Sequence, residues 1–169
     1  MNTGQTTLDN QWVLITGAAK RIGGCSAELL HEHGANIAIH YRGSAELAEA
    51  LASKLNGVRA ESAFTVQADL LDTASLPELI ATVVTRAGRL DALINNASTF
   101  YPTPVGSITE ENWNDLIGAN LKAPVFLSQA ATPHLIESSG CIVNIIDIHA
   151  TRPLKNHTVY GPAKAGLAM

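Results

Sequence analysis

Three side chains near the end of this 169-residue chain could act together on one substrate. Tyr160 and Lys164 are four residues apart. On a helix that spacing sets both side chains on one face. A free tyrosine ionises near pH ~10 and is a poor acid or base at neutrality; an ammonium beside it favours the phenolate and brings it toward the working range. Asp147 stands thirteen residues before Tyr160, at the end of an apolar run. A strand end, a loop and a helix start would bring the three groups around one substrate. Alone, a tyrosine and a lysine at this spacing are a frequent chance pattern on a solvated helix face. The weight therefore rests on the elements that would position them.

Residues 12–16 (WVLIT) form a short apolar, partly β-branched run that reads as a buried strand. A turn from Gly17 to Gly23 comes next. The helix after it is expected to carry Ile22, Cys25, Leu29 and Leu30 on its buried side and to stop at Gly34. Strand, glycine turn and helix make the setting in which backbone N–H groups and a helix N-terminus hold a pyrophosphate. Gly17 permits the tight turn, and Gly23 lets helix, strand and cofactor approach closely. Residues 36–40 (NIAIH) are the second strand. A carboxylate at its end would bind the ribose 2′-hydroxyl of NAD. The chain has His40, Tyr41, Arg42, Gly43 and Ser44 there instead. A guanidinium with hydroxyls nearby suits a 2′-phosphate and favours NADP, against the alternative that Arg42 faces solvent.

The alternation continues. Residues 44–55 pattern as a helix with Ala48, Leu51 and Leu55 buried, ended by Asn56 and Gly57. Residues 64–67 are a third strand, with Asp69 and Leu70 at its carboxyl end; Asp69 either reaches the adenine or, like Asp72, caps the next helical segment. Ser75 and Glu78 resemble a capping box for a helix bearing Leu76, Leu79, Ile80 and Val83. Residues 90–94 are a fourth strand, leading into Asn95, Asn96, Ala97 and Ser98. These amides either pin neighbouring loops or form an ordinary turn. In the loop 99–104 an aromatic can stack on a flat ring or anchor the loop. Thr109 opens one long predicted helix with Trp113, Leu116, Ile117, Leu121, Val125 and Leu127 on its apolar face. Pro124 inside it takes away the helical partner of the Asn120 carbonyl, which predicts a kink and a carbonyl free to hold a water that reaches Lys164. Residues 140–147 are the fifth strand. Such β/α alternation implies an α/β fold, a doubly wound parallel sheet in one domain.

Composition bounds the function. Apolar residues make up 46% and charged residues 15%, as in a folded globular protein, and the net charge of −4 points away from nucleic acid and anionic membranes. No apolar run is long enough for a membrane span, and residues 1–7 lack a signal-peptide pattern, so a cytoplasmic protein is expected. Cys25 and Cys141 are expected to be reduced core residues. His31 and His33 fall on different helix faces, which argues against a metal there.

These motifs resemble the short-chain dehydrogenase/reductase family, and within it the pteridine reductases, from Val13 to the end of the chain. Residues 16–23 (TGAAKRIG) resemble the family turn Thr-Gly-x-x-x-Gly-x-Gly, with Arg21 in place of the middle glycine. The resemblance implies a Rossmann-type fold in which Arg21 reaches toward cofactor phosphate and substrate. It also implies that residues 40–44 select NADP and that residues 95–104 form a pterin loop whose Phe100 sandwiches the pterin against the nicotinamide. The implied NADPH-binding set is Gly17, Arg21, Ile22, Gly23, His40, Tyr41, Arg42, Ser44, Asp69, Leu70, Asn96, Ala97, Ser98, Tyr160 and Lys164. Asn120, Tyr160 and Lys164 match the catalytic positions. Asp147 stands where most of the family has serine and pteridine reductases have aspartate. Arg21, Phe100, Asp147 and Tyr160 would meet the substrate. The activity implied is NADPH-dependent reduction of a dihydropterin to a tetrahydropterin. The alternatives are a carbonyl reductase of the same family or an NADP-binding module without turnover. The family forms homo-oligomers, commonly tetramers. Its members continue with two more strands and a closing loop, so a sequence stopping at Met169 is expected to be either a fragment of a longer chain or a truncated version of the fold.

Overall fold

Leu14 faces one hydrophobic layer from the first strand while Val13 and Ile15 face another, so this strand is covered on both sides. The structure, a computed structural model, describes residues 8–169; the segment 1–7, where a signal-peptide pattern is lacking, lies outside the described residues. In chain order the elements are β1 (Trp12–Ile15), α1 (Arg21–Glu32), β2 (Asn36–Tyr41), α2 (Ala45–Val58), β3 (Ala63–Gln67), α3 (Leu76–Ala87), β4 (Ala92–Asn95) and α4 (Glu110–Ile117). A π-helical segment (Gly118–Lys122) then leads into α5 (Ala123–Ser138), β5 (Cys141–Asn144), a 3₁₀ turn (Ile148–Ala150) and α6 (Tyr160–Ala168).

The five strands lie in the order β3-β2-β1-β4-β5, all parallel. This is the expected doubly wound α/β sheet. The chain winds outward from β1 through β2 to β3, then returns to lay β4 and β5 on the other side of β1. The direction reverses between β1 and β4, which opens a crevice at their carboxyl ends. On one face Leu76, Ile80 and Val83 of α3 and Leu127 and Ala131 of α5 pack on Leu14 and Leu93. On the other, Ala27 of α1 and Leu51 and Leu55 of α2 cover Ile15, Ile37 and Ile39.

Several elements differ from their sequence patterns for identifiable reasons. The apolar pattern predicts Ile22, Cys25 and Leu29 on the buried side of α1, yet Ile22 and Leu29 are 63% and 55% exposed and Cys25 is exposed too. The buried stripe is Gly23, Gly24, Ala27 and His31; small residues let the helix lie close to β1. Cys141, on the edge strand β5, is likewise exposed rather than in the core. The second helix runs past Asn56 and Gly57 to Val58. The Asn56 side chain works sideways, donating to Ala63 O and accepting from the backbone of Ser62 and Ala63, so it anchors β3 instead of ending the helix. Ser75 does not cap α3; its hydroxyl donates to Asp72 O. A full capping box occurs at Thr109 and Asn112, at the start of α4. The single long helix predicted from Thr109 is two α-helices joined by the π-helical segment, in which Ala123 N–H donates to Gly118 O, five residues back. Pro124 has no N–H to continue an α-helical ladder, and the backbone accommodates it by widening one turn. Trp113 and Val125 of the predicted apolar face are half exposed, while Leu116 and Leu127 are buried. The fifth strand ends at Asn144, so Asp147 lies beyond it in a loop.

Candidate active site

The crevice is built by backbone first. Thr16, at the end of β1, donates its hydroxyl proton to Ile94 O and accepts from both Asn96 N and Ala97 N at 2.9 Å. Asn96 returns the tie, its Nδ2 donating to Thr16 O at 2.8 Å and to Gly17 O at 3.2 Å. The predicted pinning of loops by these amides is therefore found, with Thr16 as the partner that sequence reasoning missed. Gly17 has φ +62°, and a Cβ on Gly23 would lie 2.6 Å from both Gly17 O and Asn96 Nδ2. Both glycines are thus required by this backbone. Lys20 precedes α1 without capping it with its side chain, so the first-turn N–H groups remain open to an anion. Arg21, the first residue of α1, holds φ +55°.

Gly17, Lys20, Arg21, Gly23 and Asn96 border a cavity of about 330 Å³ together with His40, Arg42, Asp69, Leu70, Ala97, Ser98, Thr99 and Ala119. Lys20, Arg21 and Arg42 give it a cationic rim. A glycine cradle that a Cβ would fill, an uncapped helix N-terminus and three cations fit a phosphate-bearing dinucleotide. Of the predicted cofactor residues, Gly17, Arg21, Ile22, Gly23, His40, Arg42, Asp69, Leu70, Asn96, Ala97 and Ser98 border this cavity; Tyr41 and Ser44 do not. His40 does so with a ring that is 2% exposed, so it cannot reach a phosphate as a surface donor would. Tyr160 and Lys164 lie outside this cavity, in a second cluster.

That cluster begins past Ser98. The Tyr160 hydroxyl donates to Asp147 Oδ2 at 2.8 Å, and Asp147 Oδ1 accepts the His149 backbone N–H at 2.9 Å. Lys164, one turn along α6, donates to Ile145 O at 2.9 Å. A strand exit, a loop and a helix start bring the three groups together. Their electrostatics differ from the sequence argument. Burial pushes the Tyr160 phenol well above its ordinary range, the Asp147 hydrogen bond and charge push it further, and the Ser98 hydroxyl opposes them. Lys164 does not lower it here, because the ammonium is held by Ile145 O and lies 6.0 Å from the ring centre. Burial lowers Lys164, against the charge of Asp147. Asp147 lies below the usual carboxylate range, chiefly through the His149 N–H, helped by Tyr160 and Lys164 and opposed by burial. At neutral pH the pair therefore holds one proton, on Tyr160.

Two loops frame the pair. Thr103 forms a bridge with His157, accepts from the Thr158 hydroxyl through its carbonyl, and accepts Val159 N–H at its own hydroxyl. This stitching sets Phe100 on His157, ring centres 4.6 Å apart, and edge-on to Tyr160 at 4.8 Å. Phe100 remains 56% exposed, with surface to offer a flat ring. His157 is an aromatic partner that the sequence reading overlooked; its position three residues before Tyr160 was the available signal. Asn120 is fully buried, and its amide accepts from Ser98 Oγ at 2.6 Å and donates to Thr99 O and Leu116 O at 2.9 Å. Its side chain joins the π-helical turn to the loop bordering the cavity.

A short chain dehydrogenase family model matches residues 11–169. The chain belongs to the short-chain dehydrogenase family. The chain is 38% identical to a pteridine reductase 1 of Leishmania tarentolae, covering 91% of this chain and 66% of that protein. It is 34% identical to a 3-oxoacyl-[acyl-carrier-protein] reductase FabG of Staphylococcus aureus, covering 91% and 63%, and 33% identical to a FabG of Staphylococcus epidermidis. The chain thus spans about two thirds of the length of these short-chain dehydrogenase relatives. Among the described residues no helix is long and apolar enough to cross a membrane.

Proposed function

We propose that the chain carries the site of an NADPH-dependent pterin reductase, taking a dihydropterin to a tetrahydropterin. The observation that carries this reading is the hydrogen bond from Tyr160 to Asp147, with the Phe100 ring set against Tyr160. Reducing a ring C=N places hydride on carbon and a proton on nitrogen, and the nicotinamide supplies the hydride when bound. Tyr160 holds the proton at neutral pH and is the donor to the ring nitrogen. The Asp147 carboxylate fixes the direction of the phenol and gives it a route to recover a proton. Lys164, held on Ile145 O, keeps a cation beside the reacting groups. Phe100 offers an aromatic face to a flat heterocycle, and Arg21 and Arg42 at the cavity rim suit the cofactor phosphates. The relative named pteridine reductase supports this reading.

The relatives named FabG favour a second reading, reduction of a carbonyl. One experiment separates the two: NADPH oxidation with a dihydropterin and with a small ketone, for the wild type and for Asp147→Ser. Turnover of the pterin alone, lost in Asp147→Ser, is expected. Turnover of the ketone alone, spared or improved by the serine, would replace the pterin reading. NADPH binding without turnover of either would reduce the site to a nucleotide-binding one.

A further inference from the structure

The most deeply placed titratable side chain at the crevice is His40, and the proposed chemistry does not use it. It is the second-last residue of β2, paired with Val66 of β3. Its Nδ1 lies 3.1 Å from Gly17 N, and its Nε2 lies 3.2 Å from Ala68 O. A backbone N–H can only donate and a carbonyl oxygen can only accept, so Nδ1 carries the lone pair and Nε2 the proton. The ring is neutral and confined to one tautomer. Its own carbonyl accepts Ala18 N–H at 2.9 Å. The N–H groups of residues 17 and 18 are therefore both turned onto His40 and away from any phosphate. This leaves anion binding to the start of α1. On the other side of the ring, Ala68 immediately precedes Asp69 and Leu70, which border the same cavity as Gly17.

We propose that His40 is a positioning residue for the dinucleotide: its neutral ring ties the glycine turn to the loop after β3 and fixes the spacing of the two walls between which the nucleotide lies. The proposal rests on the reading of this cavity as a dinucleotide site. Burial lowers the imidazole to about 4, with Ala68 O and the Asp69 charge opposing, so the ring stays neutral through the physiological range. Asp69 faces it from the loop after β3, Lys20 and Arg21 come from the glycine turn and α1, and Tyr41 and Arg42 lie just beyond it in the chain. A proton on Nδ1 would set N–H against the Gly17 N–H and break the tie.

The test uses NADPH affinity, followed by the change in nicotinamide fluorescence, for the wild type, His40→Phe and His40→Asn. Phenylalanine keeps the ring volume without either hydrogen bond. Asparagine places an acceptor near the Nδ1 position. Two lost hydrogen bonds of ordinary strength predict roughly tenfold weaker binding for His40→Phe, with His40→Asn, which keeps only the Gly17 half of the tie, falling between wild type and His40→Phe. The KM for NADPH should rise while kcat at saturating cofactor is unchanged. Equal NADPH affinity in wild type and His40→Phe would overturn the proposal, as would a folded His40→Asn that binds as tightly as the wild type without the bond to Ala68 O. A wild type that does not bind NADPH would instead overturn the dinucleotide reading beneath it. Should His40→Phe not fold, ¹⁵N-histidine NMR of the wild type decides: a fixed Nε2–H tautomer is expected, and an Nδ1–H or averaged ring refutes the tie.

Discussion

Replacing Arg21 by glycine should make the protein more stable and a worse binder of NADPH. Arg21 sits in the left-handed region at φ +55°, in the position where the family motif has its middle glycine. For a residue with a Cβ that conformation costs about 1–2 kcal/mol. Glycine removes this cost but gives back roughly 0.5–1 kcal/mol through the freedom of its unfolded chain. Among the described residues the exposed guanidinium has no hydrogen bond or ion pair to lose. The net gain is therefore about 0–1.5 kcal/mol, or a rise in Tm of up to about 6 °C for a chain of this size. Binding moves the other way. Loss of a charge-assisted contact to phosphate, worth about 1.5–3 kcal/mol, weakens NADPH roughly 10- to 100-fold. Thermal unfolding without cofactor and NADPH titration read the two effects separately. Arg21→Ala is the control: it keeps the left-handed backbone, so it should lose affinity without gaining stability. An Arg21→Gly protein that is less stable than wild type, or that binds NADPH equally well, would refute the argument.

Gly23→Ala should destabilise the fold by about 1–3 kcal/mol and abolish nucleotide binding, since its Cβ would press on Gly17 O, Asn96 Nδ2 and Ala18 Cα within 3.0 Å; chemical denaturation and NADPH titration check this. The Tyr160–Asp147 pair predicts opposite pH limbs. The folded pKa of Asp147 is lowered, so its stabilisation is complete above the ordinary carboxylate value of ~3.9 and is lost as pH falls through the folded value. The folded pKa of Tyr160 is raised, so its stabilisation is present below ~10 and is lost as pH rises above that. Stability–pH curves of Asp147→Asn and Tyr160→Phe should each flatten one limb, acid and alkaline respectively. Asp91, 6% exposed, accepts Trp12 N–H at 2.8 Å and the Nε and Nη2 donors of Arg89; Asp91→Ala should cost about 1–3 kcal/mol, and Arg89→Ala, at a half-exposed partner, under about 1 kcal/mol.

What the sequence made legible was local. The glycine turn announced itself because Gly17 and Gly23 come after an apolar strand and before a helix. Tyr160 and Lys164 were visible because helical spacing alone sets them on one face. Asp147 was legible as a partner, but the charge state of the pair was not: it depends on the His149 N–H, on burial and on where the Lys164 ammonium is tied. The buried face of α1 was misleading because its close contact is made by Gly23, Gly24 and Ala27, which hydropathy counts poorly, while Ile22 and Leu29 look outward. The π-helical turn before Pro124 gives no periodic signal of its own. His40 read only as one member of the NADPH-binding segment because the groups it serves, on Gly17 and Ala68, lie 23 and 28 residues away in the chain. Thr16 hid for the same reason, its partners being some 80 residues downstream.

The strand order also sets the sequence of events during folding. Val13 meets Ile37 across one edge of β1 and Ala92 across the other. The second loop is more than three times as long as the first, and closing it costs about 1 kcal/mol more in chain entropy. The β1–β2 edge therefore has the advantage of forming early, with α1 folded over it, whereas the β1–β4 edge waits for a longer search. The crevice lies on that later edge. On a ribosome, Thr16 and Gly17 would emerge long before Asn96 could secure them, and the turn would have only the β2 side to lean on until β4 arrived.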